Sequence, residues 1–195
     1  MEKISIYGCH TEEMKTVMND LLNIIKQGAA DIKSKTGIEP IEHLKSRIKA
    51  EESMREKCRR SGLEETEYSA LQCIHDAIGI RVVCSFLDDI YSIRDYIASQ
   101  EDIEIYNEKD YIKNVKSNGY RSYHMIVRIN GYFAEIQIRT ISMDTWAALE
   151  HHIRYKKAIS GNTALIFEEL KRCADELAST DASMQTIRNM INSEV

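Results

Sequence analysis

The chain has 195 residues, 43% of them hydrophobic, enough to bury one good core with a helical extension. Its 26 Lys and Arg against 31 Asp and Glu leave a net charge of −5, which excludes a general nucleic-acid coat or membrane-surface protein and requires any basic site to be local. No apolar run approaches the ~20 residues of a membrane span and the N-terminus lacks a signal-peptide pattern, so a cytoplasmic protein is expected.

From Thr11, read as an N-cap, apolar residues at Met14, Met18, Leu21, Ile25 and Ile32 have the spacing of an amphipathic helix that ends in the polar segment Lys33 to Gly37. Pro40, the single proline, punctuates the chain. Ile41 to Cys58 is charge-rich and reads as partly helical, and Glu67 to Ile74 as a further short helix. Gly79 to Phe86 predicts a strand, after which Asp88 caps a helix whose Ile90, Ile93 and Ile97 mark the buried side. Asp102 to Asn107 alternates weakly and reads as a strand. Asn130-Gly131, set between Met125–Ile129 and Tyr132–Ile138, predicts a type I′ turn joining two antiparallel strands. Ile141 to Tyr155 reads as a helix anchored by Trp146 and Leu149. From Asn162 to Ser193 a coiled-coil-like seam runs through Ile166, Leu170, Cys173, Leu177, Thr180, Met184, Ile187 and Ile191, to be docked on its own domain or used as an oligomer interface. The five cysteines (Cys9, Cys58, Cys73, Cys84, Cys173) show no Cys-x-x-Cys spacing and are expected to be reduced thiols, mostly core filler.

Polar chemistry concentrates on the hairpin. Its second strand sends Tyr132, Ala134, Ile136 and Ile138 to one face and Phe133, Glu135, Gln137 and Arg139 to the other, so an acid, an amide and a guanidinium share one surface. Ahead of it stands Asn118-Gly-Tyr-Arg-Ser-Tyr-His124. A second cluster, Lys45, Arg47, Lys49, Arg55, Lys57, Arg59 and Arg60, places Lys49, Ser53, Lys57 and Arg60 on one face if that stretch is helical, a pattern suited to following a chain of phosphates. Its ordinary reading is a solvated face neutralised by Glu51, Glu52 and Glu56. No glycine-rich phosphate loop is present, so side-chain cations would have to replace backbone N–H groups. His75-Asp76 precedes a strand carrying Arg81, and Asp76 with Glu135 suggests a carboxylate pair, one to hold Mg²⁺ and one to orient or deprotonate a hydroxyl. His151 and His152 are too isolated for a metal site.

Six blocks in order resemble the synthetase domain of the RelA/SpoT family: Arg47–Ser53, Ile74–Val82, Lys109–Ile112, Asn118–His124, Glu135–Thr140 and Trp146–His151. The whole length is similar to the single-domain small alarmone synthetases. The resemblance implies an α+β fold, a nucleotidyltransferase-like mixed sheet surrounded by helices, with a catalytic core at about 41–157 and helical flanks at 11–34 and 162–193 of one domain, 1–195. It implies transfer of the β,γ-pyrophosphoryl group of ATP to the 3′-hydroxyl of GDP or GTP, giving (p)ppGpp and AMP in stringent-response signalling, without a hydrolase activity. Carried over by residue, it puts Arg47, Lys49, Ser53, Lys57, Arg60 and Arg81 around ATP, Asp76 and Glu135 on Mg²⁺, and Glu135 on the acceptor hydroxyl. Tyr120 stacks on guanine, with Lys116, Arg121, His124 and Gln137 on the acceptor side. It further implies a homotetramer assembled through the terminal helices, with a product nucleotide or single-stranded RNA as regulator.

Three positions depart from the pattern. Lys49-Ala-Glu-Glu-Ser53 stands where Lys-Ser-Pro-Glu-Ser is common, the loop before Asn118 lacks prolines and is expected to be more mobile, and Asp144 replaces an asparagine, an extra charge expected to tune GDP against GTP. Two alternatives keep the same residues: a pyrophosphokinase acting on another 3′-hydroxyl, of an adenine nucleotide or tRNA, and a silent nucleotide- or RNA-binding module.

Overall fold

The computed structural model describes residues 5–156 and 163–193. Five strands, β1 (Ile41–Ile48), β2 (Ile78–Cys84), β3 (Glu104–Asp110), β4 (Tyr123–Ile129) and β5 (Tyr132–Thr140), form one mixed sheet in the order β1-β2-β5-β4-β3. Around it lie α1 (Thr11–Thr36), α2 (Glu51–Arg60), α3 (Leu87–Ala98), α4 (Ile141–Lys156) and α5 (Thr163–Ser193). The α+β class and the long terminal helices expected from the sequence are both present. Among the described residues no helix is long and apolar enough to cross a membrane.

Alternation along the strands builds the core. Ile78, Ile80 and Val82, with Ala134, Ile136 and Ile138 and Met125 and Val127, are buried in one cluster with Met14, Leu21 and Ile25 of α1 and Ile90, Ile93 and Ile97 of α3. Each such side chain stabilises the fold by roughly 1.5–3 kcal/mol, so this face sets the register of the sheet. The hairpin closes as expected, because Asn130 (φ 51°) and Gly131 (φ 84°) both take the left-handed conformation of a type I′ turn. Gly37 (φ 74°) ends α1, donating its N–H to the Lys33 carbonyl.

Several boundaries differ from expectation. Ile41, Leu44 and Ile48 imitate a helical period, yet they belong to a bulged edge strand, and only Glu51–Arg60 is helical. Lys49 therefore precedes the helix that carries Ser53, Lys57 and Arg60. The helix expected over Glu67 to Ile74 is present over residues 67–73, its last five residues, Ser69–Cys73, wound as a π-turn, and the third strand is shifted to Glu104–Asp110. Thr11 is the first helical residue of α1 rather than its cap. Asp88 does not cap α3: the Asp89 carboxylate accepts the Phe86 N–H (3.1 Å), while Asp88 exchanges hydrogen bonds with Gln185. Leu149 is exposed, leaving Trp146 as the buried anchor of α4, its Nε1 donating to the Leu170 carbonyl (2.8 Å). Only Cys58 and Cys84 are buried; Cys9, Cys73 and Cys173 are free and exposed, so most of the cysteines are not core filler. Lys157 and Asn162 lie outside the described residues.

The stripe that docks α5 is one residue out of phase with its apolar seam. Ala174, Asp181, Gln185 and Arg188 are buried, whereas Met184, Ile187 and Ile191 are exposed. Polar hooks hold the helix instead: Thr140 Oγ1 donates to Asp181 (2.6 Å), and Arg188 pairs with Asp89 (2.7 Å) while lying over the Phe86 ring. Burial pushes the Asp89 carboxyl above its ordinary pKa even though Arg188 pulls it down. Truncating one member of a buried ion pair strands the other in low dielectric. Arg188→Ala is therefore expected to cost about 3 kcal/mol in chemical denaturation, whereas Arg172→Ala, on the exposed side of the same helix, leaves the midpoint unchanged; equal effects would contradict this docking.

Candidate active site

Sheet register places the polar residues. Lys45, Arg81, Gln137, His124 and Lys109 lie opposite one another on the five successive strands, in sheet order β1 to β3. Two residues along, Arg47, Gly79, Glu135, Ile126 and Asn107 form the next row. Because side chains at matched register share a face, both rows project from the side opposite the core.

Two clefts open on this surface. The first, about 190 Å³, is lined by Lys45, Arg47, Gly79, Arg81, Glu135 and Gln137. The second, about 350 Å³, is lined by His75, Tyr106, Lys109, Tyr111, Lys116, His124 and Glu135. Glu135 is a wall of both. The first is cationic on its β1–β2 side, and the second combines aromatic faces with two lysines.

Asp76, in the turn between the π-turn and β2, is the acid beside the first cleft. Its Oδ2 is held by Lys57 (2.6 Å) and Lys49 (2.9 Å), which enter from α2 and from the end of β1. Burial pushes its pKa up, but the two lysines outweigh burial and hold the carboxyl below its ordinary value. Its other oxygen, Oδ1, is buried and has no hydrogen-bond partner among the described residues.

A closed circuit of hydrogen bonds surrounds Glu135. Gln137 Nε2 donates to Glu135 (2.8 Å), and Arg139 Nη2 donates to Gln137 Oε1 (2.7 Å) and to the Tyr120 hydroxyl oxygen (2.6 Å). The Tyr120 hydroxyl meets His124 Nε2 (2.8 Å), and His124 Nδ1 faces Glu135 Oε1 (3.4 Å). A ring N–H on His124 Nδ1, toward Glu135, leaves Nε2 free to accept the Tyr120 phenol proton. Burial raises the Glu135 pKa, but His124 and Gln137 prevail over burial and over the Asp76 charge, keeping it below the ordinary glutamate value. Glu135 is thus a carboxylate at neutral pH.

Of the residues singled out in the sequence, Arg47, Arg81, Glu135 and Gln137 line the first cleft, Lys116, His124 and Glu135 the second, and Lys49 and Lys57 meet at Asp76. Tyr120 sits behind the second cleft, with Lys116 Nζ 5.0 Å from its ring centroid. Arg121 turns away: it donates to the Gly119 and Ala174 carbonyls and pairs with Asp175 of α5 (2.8 Å). Ser53 is exposed on α2, and Arg60 is exposed with Glu56 as its neighbour. Arg55 and Arg59 pair with Glu65 and brace the segment after α2. Sequence reasoning assigned no role to Tyr111, Tyr106, Lys109 or Arg139, although the Lys109–Ile112 block and the strand alternation carried the signal. Among the described residues no three His, Cys, Asp or Glu side chains group as metal ligands, His151 and His152 included.

The loop between β3 and β4 is tied at both ends. Asp110 Oδ1 accepts the N–H groups of Ile112 and Lys113, and the Tyr111 N–H reaches the Ser122 carbonyl (3.0 Å). Gly119 (φ 89°) packs so closely on α5 that an added Cβ would lie 2.7 Å from that of Ala174.

Residues 46–160 match the family model described as the region found in RelA / SpoT proteins. The chain belongs to the RelA/SpoT family. It is 38% identical to GTP pyrophosphokinase YwaC of Bacillus subtilis over 94% of this chain and 97% of that protein. Its fold superposes on the crystal structure of small alarmone synthetase 2 from Bacillus subtilis, with a TM-score of 0.75 at 38% identity over 92% of this chain and 97% of the other. Small alarmone synthetase 1 from the same organism, bound to its product pppGpp, matches with a TM-score of 0.78 at 28% identity over 91% and 94% of the two chains.

The Asp76 environment yields a signed prediction. With both lysines present the carboxyl titrates below its ordinary value, so the double variant Lys49→Met, Lys57→Met leaves burial as the dominant influence and the Asp76 pKa rises above that value. Carbon-detected NMR titration of the side-chain carboxyls measures it; a pKa that stays depressed would show that the lysines are not the cause.

Proposed function

We propose that this RelA/SpoT-family chain is a GTP pyrophosphokinase, which moves the β,γ-pyrophosphoryl group of ATP to the 3′-hydroxyl of GDP or GTP and produces (p)ppGpp and AMP. The observation that carries the reading is the position of Glu135 in the walls of both clefts. A group passed between two nucleotides must cross where their sites meet, and that point is a carboxylate held ready to accept a hydrogen bond from a hydroxyl.

The first cleft takes the ATP polyphosphate. Lys45, Arg47 and Arg81 supply cations along its β1–β2 wall, and Lys49 and Lys57 stand beside it on Asp76. The second takes the guanosine nucleotide, with Tyr111 and Tyr120 as faces for the base and Lys109, Lys116 and His124 for phosphates. In the reaction the acceptor O3′ forms a bond to Pβ while the bond from Pβ to the oxygen bridging to Pα breaks, its electrons leaving with AMP. Glu135 orients the attacking hydroxyl and receives its proton; His124 and Gln137 fix the carboxylate in that role. The transferred group is dense in negative charge, so positioning and electrostatic stabilisation carry most of the catalysis.

Mg²⁺ fits this arrangement because Asp76 Oδ1 is buried and lacks a partner, and because this ion is commonly bound by one or two carboxylates completed by substrate phosphates. Asp76 and Glu135 would hold it. Bound there, the ion would neutralise charge on the pyrophosphoryl oxygens. Such soluble nucleotide substrates fit a cytoplasmic setting.

The exposed Met184, Ile187, Met190 and Ile191 on α5 support assembly into a homo-oligomer, a tetramer, through the terminal helices. Ile187→Asp is expected to lower the mass seen by light scattering while preserving helix content; an unchanged mass would remove this face from the interface.

For the chemistry, Glu135→Gln and Asp76→Asn should each reduce synthesis by at least about a thousandfold with circular dichroism unchanged, measured as AMP release with GDP, GTP, ADP and tRNA as acceptors. Tyr120→Ala should chiefly raise the acceptor KM. Normal turnover in either carboxylate variant, or product from ADP or tRNA but not from guanosine nucleotides, would contradict the reading.

A further inference from the structure

Asp144 lies in the first turn of α4 and is 8% exposed. Its Oδ1 faces two guanidinium groups, Arg81 Nη1 at 3.1 Å and Arg139 Nη1 at 3.2 Å, and His43 Nε2 lies 3.9 Å from Oδ2. The two arginines differ in freedom. Arg139, 4% exposed, is fixed by Gln137, Tyr120 and the Ser122 hydroxyl, whereas Arg81, 37% exposed, opens onto the cationic cleft. One oxygen thus serves an exposed cation on the donor side and a buried one on the acceptor side.

We propose that Asp144 is a positioning residue that couples the two clefts, so that occupation of the donor cleft strengthens acceptor binding. The inference rests on the reading that the first cleft holds the ATP polyphosphate. A polyphosphate draws Arg81 away from Asp144, since several phosphate charges outcompete one shared carboxylate oxygen. Asp144 Oδ1 then belongs to Arg139 alone. An undivided charge-assisted bond in a buried setting holds Arg139 more firmly, and with it the Tyr120 hydroxyl and Gln137, the groups that frame the acceptor and Glu135. By linkage the acceptor must strengthen donor binding by the same factor. A carboxylate is essential here, because a neutral amide holds neither arginine by charge.

The test is calorimetric titration of the full-length protein with GDP in the presence of Mg²⁺, with and without saturating AMPCPP, whose methylene bridge blocks cleavage between Pα and Pβ. In the native protein AMPCPP should tighten GDP binding by about fivefold or more, the lower range of known couplings, and in Asp144→Asn by less than about twofold. Arg81→Gln gives a second, oppositely signed readout: with the exposed competitor removed, GDP should bind without AMPCPP as tightly as it binds the native protein with AMPCPP. A merely structural arginine would not strengthen GDP binding when deleted. Undiminished coupling in Asp144→Asn, or GDP binding in Arg81→Gln no tighter than in the native protein without AMPCPP, overturns the coupling. Absence of any GDP binding by the native protein overturns the pyrophosphokinase reading itself.

Discussion

The parallel pairing of β2 with β5 is the constraint on which the site depends. It joins the segment β1-α2-β2, which carries Lys45, Arg47, Lys49, Lys57, Asp76 and Arg81, to the segment β3-β4-β5, which carries Lys109, His124, Glu135, Gln137 and Arg139. Register sets Gly79 opposite Glu135 and Arg81 opposite Gln137. A slip of one residue would turn Ile136 and Ile138 out of the core and Glu135 and Gln137 into it. The apolar contacts that make the other face watertight therefore also align the chemistry.

Two internal carboxylates organise part of the polar face: Lys49 and Lys57 are held on Asp76, and Arg81 and Arg139 on Asp144. Such pairs keep the cations placed. Glu135 is handled differently. Its partners, His124 and Gln137, belong to a circuit anchored by the buried Arg139, so the acid is oriented by hydrogen bonds instead of being buried in a lysine clamp. Outside the sheet, α5 braces the loop between β3 and β4 through Arg121 and the close packing of Gly119 on Ala174.

Much of this was legible in the chain. The Asn130-Gly131 turn fixed the hairpin, and simple alternation placed Glu135, Gln137 and Arg139 on one face. The ordered blocks identified the family before any geometry was known. What was hidden lies where local pattern and tertiary packing disagree. Ile41, Leu44 and Ile48 carry a helical period but form an edge strand, because pairing with β2 outweighs local preference. The apolar seam of α5 is not the face that docks the helix, because Asp181, Gln185 and Arg188 bury through specific partners, Thr140, Asp88 and Asp89, that sit on elements distant in sequence. For the same reason neither the turn of Arg121 toward Asp175 nor the double pairing of Asp144 can be read from spacing alone.

The central claim is that Glu135 marks the crossing point of a pyrophosphoryl group between two nucleotides. It is tested most directly by incubating the protein with GDP and ATP carrying a labelled β-phosphorus, and separating the nucleotides. The account predicts that the label leaves ATP entirely with the guanosine product, in a pyrophosphate on its 3′-oxygen, and that AMP forms unlabelled. Label retained in ADP, with only the γ-phosphoryl group transferred, would contradict it.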